Sequence, residues 1–343
     1  EAISFDSNGD TFAFNGAQQV AAAGTDWVSI HAPLLATQNG RAVPISTYYG
    51  GHWMQVVQGP GLSQARRIVD YQWNAAAGTV RFRVLPQWDV IPASGESRMV
   101  IMRQYRHVYA VANEVDQRSP PCRKSNLNGP RGGTIAMWTP SADSVIAGNR
   151  QFDTGGIVFT QGHSAAAPSC PTCNNSAAFQ SGLEIRGNRI EGEYAYSTDC
   201  SESGIFGSFG ASPTPESLPP AGSLGVVIAH NVISHADALH GGAIGIGATW
   251  HRGPPPGNWP FVLNPLIFHN TIRDLTGGAP RANCKRGQRG RIAIRLEGPG
   301  NVQDAVLYAN RCENVDTLLD DAGTGTLRVC TGRPDKSCEC ARP

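Results

Sequence analysis

Val226-Val-Ile-Ala-His-Asn231 is one of six copies of a short pattern that decides the fold. The others are Val108-Tyr-Ala-Val-Ala-Asn113, Ser144-Val-Ile-Ala-Gly-Asn149, Leu183-Glu-Ile-Arg-Gly-Asn188, Pro265-Leu-Ile-Phe-His-Asn270 and Ala305-Val-Leu-Tyr-Ala-Asn310. Each is a brief apolar strand closed by asparagine, and the intervals between asparagines are 36, 39, 43, 39 and 40 residues. Three positions before the asparagine stand Ala110, Ile146, Ile185, Ile228, Ile267 and Leu307, apolar throughout, as an inward column requires. Two positions after it come Val115, Ile190, Ile233, Ile272 and Cys312. In the second copy the apolar residue slips to Phe152, which predicts a one-residue bulge.

A second strand follows in five of the repeats: Gly156 to Gly162, Gly204 to Gly210, Gly242 to Gly247, Arg291 to Glu297 and Thr317 to Asp321. In Arg291 to Glu297, Ile292, Ile294 and Leu296 alternate with Arg291, Ala293, Arg295 and Glu297, the period of a strand with one wet face. Strands this short cannot bury their own apolar side. Stacking equivalent strands of successive repeats in parallel makes one continuous core and satisfies the backbone. The asparagine is expected to take the left-handed backbone of a sharp turn and to bond its counterpart in the next coil. Residues around 118–133, 163–181, 211–223, 251–264 and 277–290, rich in Pro, Gly and Cys, are surplus to a coil and read as insertions. A leucine-rich repeat fails for want of regular leucine spacing and an amphipathic helix, and a propeller for want of its blade signature. The pattern specifies an all-β parallel β-helix.

The repeat, over roughly residues 100–330, resembles the pectate-lyase-like superfamily of single-stranded right-handed parallel β-helices. The stretch before it resembles the lead-in of bacterial and phage members: Gln64-Ala-Arg-Arg-Ile-Val69, Thr79-Val-Arg-Phe-Arg-Val84, Trp88-Asp-Val-Ile-Pro92 and Ser97-Arg-Met-Val-Ile101. The resemblance implies N-terminal cap coils over 1–100, helix coils over 101–330 and a tail over 331–343. It implies no reaction. Among polygalacturonases, motifs such as Gly/Gln-Asp-Asp and Gly-His-Gly recur. Here Leu319 precedes Asp320-Asp321, and Leu239 precedes His240. The Asp-Pro-His-Asp motif of alginate epimerases is absent too.

Composition narrows the setting. The 343 residues include 40 Gly and 24 Pro with only 16% charged residues, so the chain turns often and is neither coiled coil nor disordered. A net charge of +1 gives no electrostatic case for nucleic acid, and no apolar run approaches a membrane span. Short strands are also legible at Thr11 to Phe14 and Trp27 to Ile30. The opening Glu1 reads as a mature or trimmed chain. Of nine cysteines, Cys122, Cys170, Cys173, Cys200 and Cys284 fall in loop-like stretches, and Cys338 and Cys340 in the tail. That usage predicts disulfides and an extracellular, cell-surface or periplasmic setting. Cys170-Pro-Thr-Cys173 lacks the second CxxC of a zinc ribbon, so no metal is assigned. Asn174-Asn-Ser176 is a glycosylation sequon.

Aligning the second strands on their inward positions gives an outward row Val158, Phe206, Gly245, Ala293, Leu319, and a next row Thr160, Ser208, Gly247, Arg295, Asp321. Arg295 then neighbours Asp321, with Glu297 beside it and glycines as a shallow floor. Trp250, His251, Arg252 and Trp259 would rim that floor. Pyranose faces stack on aromatics and their hydroxyls bond charged groups, so this arrangement suits a polysaccharide. A hydrolase would use Glu297 and Asp321 as its carboxylate pair. A lyase would use Arg295 or His251 as cation or base, and could add Ca2+. Substrate contacts fall to Trp250, Arg252, Trp259 and Phe206. His235, Asp237 and His240 form a second-choice site. His230 and His269, like Asp153 and Asp274, read as turn residues. The alternative is a non-catalytic wall, filament or adhesion module, self-associating through its coil ends.

Overall fold

A computed structural model describes residues 3–5, 18–31, 37–38, 41–42, 51–74, 76–102, 104–118, 135–137, 141–161, 178–192, 204–209, 221–236, 242–249, 262–275, 291–297 and 301–329. Their elements are strands throughout, and none of these residues forms a helix long and apolar enough to cross a membrane. From Tyr105 onward the chain winds as a parallel β-helix. Each coil contributes four strands in turn, numbered here as sheets 1 to 4. In one coil these are Ala221–Leu224, Val227–Ala229, Val232–Ser234 and Ile244–Thr249. Sheets 1 and 3 have six strands, and sheets 2 and 4 have seven.

Sheet 2 stacks Ala110, Ile146, Ile185, Ile228, Ile267 and Leu307 in register, as the spacing predicts. Sheet 3 stacks Val115, Gln151, Ile190, Ile233, Ile272 and Cys312 in the same way. The bulge expected at Phe152 is therefore absent. Gln151 itself occupies the inward place, fully buried, and its Oε1 accepts a bond from the Thr154 hydroxyl at 3.3 Å.

The corners between sheets 1, 2 and 3, and after sheet 3, are single residues in the left-handed region. They recur at an interval of five, as in Asp143, Gly148 and Asp153 in one coil and Gly225, His230 and His235 in another. The asparagines are not the left-handed residues, as the turn argument expected; each follows one. Asn149, Asn188, Asn231 and Asn270 are buried and form the ladder. The Asn188 Nδ2 donates to Asn231 Oδ1 at 2.9 Å and to the Ile146 carbonyl at 2.9 Å, while its Oδ1 accepts from Asn149. His230 and His269 are corners whose rings stack with centroids 5.1 Å apart.

Residues 18–102 do not form cap coils. Strands Gln18–Ala23, Trp27–His31, Thr79–Leu85, Ala65–Asn74, Trp53–Gln58 and Arg98–Met102 close in that order into an antiparallel barrel. Val80, Phe82 and Val84 alternate into its interior while Arg81 and Arg83 face out, and closure removes exposed strand edges. The barrel has its own core, including Ile30, Met54, Phe82 and Met99. It is inserted within the helix, because Ile3–Phe5 pairs in parallel with Ile135–Met137 as the first rung of sheet 4. The strand predicted at Thr11 to Phe14 lies outside the described residues.

Candidate active site on sheet 4

The long segments of chain between described strands all connect to one end or the other of sheet 4. They include 119–134, 162–177, 193–203, 210–220, 250–261 and 276–290. Several expected insertions also reach into sheet 1: Ala178–Ser181, Ala221–Leu224 and Val262–Leu263 are strands.

Strand register fixes the outward row of sheet 4 as Ala136, Val158, Phe206, Gly245, Arg295 and Asp320. Gly245 thus lies directly beside Arg295, where the sequence alignment had placed Ala293. Arg295 neighbours Asp320, where that alignment had placed Asp321. The first difference is a two-residue slip, since Ile292 and Ile294 share the inward face and Ile244 pairs with Ile294. The second arises because Leu318 and Leu319 are both apolar, and Leu319 is the residue that stacks on inward Ile294. Asp321 falls in the inward row at the end of the stack. Its carboxylate accepts from the Gly323 N–H at 2.8 Å, the Thr326 hydroxyl at 3.3 Å and Arg328 at 3.1 Å. That is the bonding of a turn and cap residue.

Arg295 and Glu297 are both about nine-tenths buried although they stand on the outer face. The Arg295 Nε lies 3.3 Å from an Asp320 oxygen and 3.8 Å from a Glu297 oxygen. Gly247 sets this geometry. The pairing of the two neighbouring strands shifts there, making a bulge with Gly247 at φ +85°. Asn301 Nδ2 donates to the Gly247 carbonyl at 2.9 Å, and the Glu297 N–H donates to the Ile246 carbonyl at 2.8 Å. The bulge therefore pins the strand end that carries Glu297. Nothing in a hydropathy pattern announces it, although a glycine inside a strand is the one available signal.

Phe206 is 2% exposed and packs with Ala136 and Val158 in a small apolar cluster, so its ring is not offered to a ligand. His235 is an exposed left-handed corner at φ +55°. Trp250, His251, Arg252, Trp259, Asp237 and His240 lie outside the described residues, as do the seven loop and tail cysteines named above. Among the described residues no three His, Cys, Asp or Glu side chains converge as a metal cage would require.

No family model and no curated protein matches the chain. Solved structures with a distant likeness include the following two. One is a glycoside hydrolase, 10% identical, with 92% of this chain and 73% of that one covered and a TM-score of 0.30. The other is the tailspike protein gp49 from Pseudomonas phage LKA1, 9% identical, with 93% and 63% covered and a TM-score of 0.23. Likenesses of this size carry no argument about chemistry. The strand topology by itself defines the chain as a parallel β-helix protein bearing an inserted antiparallel barrel.

Proposed function

We propose that the protein binds a polysaccharide along sheet 4 and cleaves it there, with Glu297 and Asp320 as the reacting carboxylates and Arg295 holding them apart. The observation that carries this reading is the burial of Arg295 and Glu297 on the outer face of sheet 4, beside Asp320, where the other members of the Arg295 row are apolar or glycine. Burying such charges costs more than their attraction returns, so a purely structural role is poorly served by this trio. Two carboxylates flanking a glycosidic bond can act as acid and as base or nucleophile. In a lyase version Arg295 would neutralise a uronate. The disulfide-bonded state of Cys312 supports an oxidising, extracellular setting.

The test is a reducing-sugar and unsaturated-uronate assay over a panel of neutral and uronate polysaccharides. Glu297→Gln and Asp320→Asn are each expected to lower turnover by about 100-fold or more with the fold retained. Silence of the wild-type protein across the panel would remove the enzymatic reading. It would favour a non-catalytic adhesion module, whose own support is exposed apolar side chains on the two end strands of sheet 2. There Tyr109, Val111 and Leu327 are 62%, 50% and 56% exposed.

A further inference from the structure

A cleft of about 560 Å³ runs between the barrel and the helix, away from the outer face of sheet 4. Its barrel wall is the turn holding Leu62, Ser63 and Gln64, with Arg66 and Asp89 behind it. The helix wall is the corner between sheets 1 and 2, seen on successive coils as Asp143, Gly182, Gly225 and Asn264. Coils rise about 4.8 Å each, so those four corners span about 14 Å along the axis.

The wall groups are held before any ligand arrives. Arg66 donates to the carbonyls of Gln87 at 2.8 Å and Ala65 at 2.9 Å, to Gln64 Oε1 at 2.9 Å and to Asp89 at 2.8 Å. Arg106 bonds Asp143 and lies with its guanidinium 4.0 Å from the centre of the Trp53 ring. Side chains already ordered lose little freedom on binding. Ser63 stands at φ +76°, a backbone conformation that non-glycine residues hold at a cost and that often marks a ligand site.

The charges cancel in pairs, Arg66 with Asp89 and Arg106 with Asp143, so the lining offers no net field to a phosphate or uronate. Yet the Asp89 and Asp143 side chains remain 83% and 49% exposed, with lone pairs turned to solvent. The hydroxyls of Ser63 and Ser181 and the amide of Asn264 add donors and acceptors, and Leu62 adds apolar surface. A Cβ built on Gly225 meets nothing within 4 Å, so the floor there is open. We propose that this cleft is a separate binding site for a neutral oligosaccharide of about three sugar units, lying along the helix axis. It does not depend on chemistry at sheet 4.

Gly225→Asn tests it directly. Asn264 occupies the same corner at φ +54°, so asparagine suits the backbone while its side chain enters the cleft. Cellotriose, xylotriose, maltotriose, mannotriose, trigalacturonate and inorganic phosphate are titrated calorimetrically into the whole protein and into Glu297→Gln. At least one neutral trisaccharide is expected to bind both proteins equally. Its affinity should fall about tenfold in Gly225→Asn and severalfold in Asp89→Ala, with trigalacturonate and phosphate binding more weakly. Asp89→Ala decides the matter if Gly225→Asn does not fold, since Arg66 keeps its other three partners. The proposal is overturned if no neutral trisaccharide binds or if the folded cleft variants bind as well as wild type. Preference for an anionic probe, or loss of binding in Glu297→Gln, overturns it too. Neither of the first two results touches the sheet 4 reading, which stands or falls on turnover.

Discussion

At Gly247 a Cβ would lie 2.7 Å from the Val302 side chain and 2.9 Å from the Glu297 carbonyl oxygen, on a backbone already in the left-handed region. Gly247→Ala should therefore destabilise the protein by about 1–3 kcal/mol and displace Glu297. A urea unfolding midpoint identical to wild type would show that the bulge is slack. Asp116 illustrates electrostatics on the wet outer face of sheet 3. Hydrogen bonds from Arg118 hold its carboxyl at about 2, below the ordinary 3.8. A depressed carboxylate favours the folded state above its free value. That contribution fades as the pH falls toward and through about 2. In Arg118→Gln a carbon-13 titration should return the Asp116 midpoint toward 3.8. An unmoved midpoint would mean another group sets it. Arg118 also covers the Phe152 ring at 4.2 Å, so the variant uncovers that ring as well.

Between coils, the asparagine ladder sets how much one residue matters by where it stands. Asn188→Ala would strand the Asn149 side-chain amide, the Asn149 N–H and the Ile146 carbonyl, all bonded to Asn188 in the folded protein. A loss of about 3 kcal/mol or more is expected, against about 1 kcal/mol for Asn113→Ala at the first coil, whose side chain donates to Asn149 Oδ1, an acceptor that keeps the backbone N–H of residue 113. Chemical denaturation of the two variants measures the difference; equal losses would mean that the ladder does not act as a chain of buried bonds. This element was the most legible in the sequence, since an inward column and a closing amide survive every insertion. The corners were written there too, at an interval of five. They were harder to see because Asp, Asn, His, Ala and Gly all fill them, residues whose shared property is a backbone conformation. Sheet 1 was missed because strands of two to four residues, such as Val262–Leu263, carry no period. The site's second carboxylate was misplaced by one residue for a related reason. Leu318-Leu319 supplies two apolar candidates for one inward place, and only the pairing with Ile292 and Ile294 chooses between them.

At the scale of the whole molecule, the two main cores among the described residues share no residue: one inside the coils, one inside the barrel. Some of the barrel's strands, such as Thr79–Leu85, alternate well enough to be legible in the sequence, whereas Trp53–Gln58, with four consecutive buried residues, does not. Their closure depends on pairings such as Gln18 with Met99, between residues far apart in the chain, which local periodicity cannot supply. Separate cores predict separable unfolding. Phe82→Ala removes a ring from the barrel interior, at a cost of about 3–5 kcal/mol. It should lower the transition seen by Trp27, Trp53, Trp73 and Trp88, all within residues 18–102, while that of the coils moves little. The coil transition is followed by hydrogen exchange at Ile185, Ile228 and Ile267, which lie at the centre of sheet 2. A common shift of both transitions would mean that barrel and helix unfold as one body. Among the described residues, the joining contacts include Gln104 Nε2 donating to Gln55 at 3.4 Å and to the Ser141 carbonyl at 3.4 Å, and the Arg106 guanidinium over the Trp53 ring. A saccharide seated in the cleft would touch both bodies and neither unfolded chain. It should therefore raise both transitions together and narrow the gap between them, whereas a ligand on sheet 4 should raise the coil transition alone.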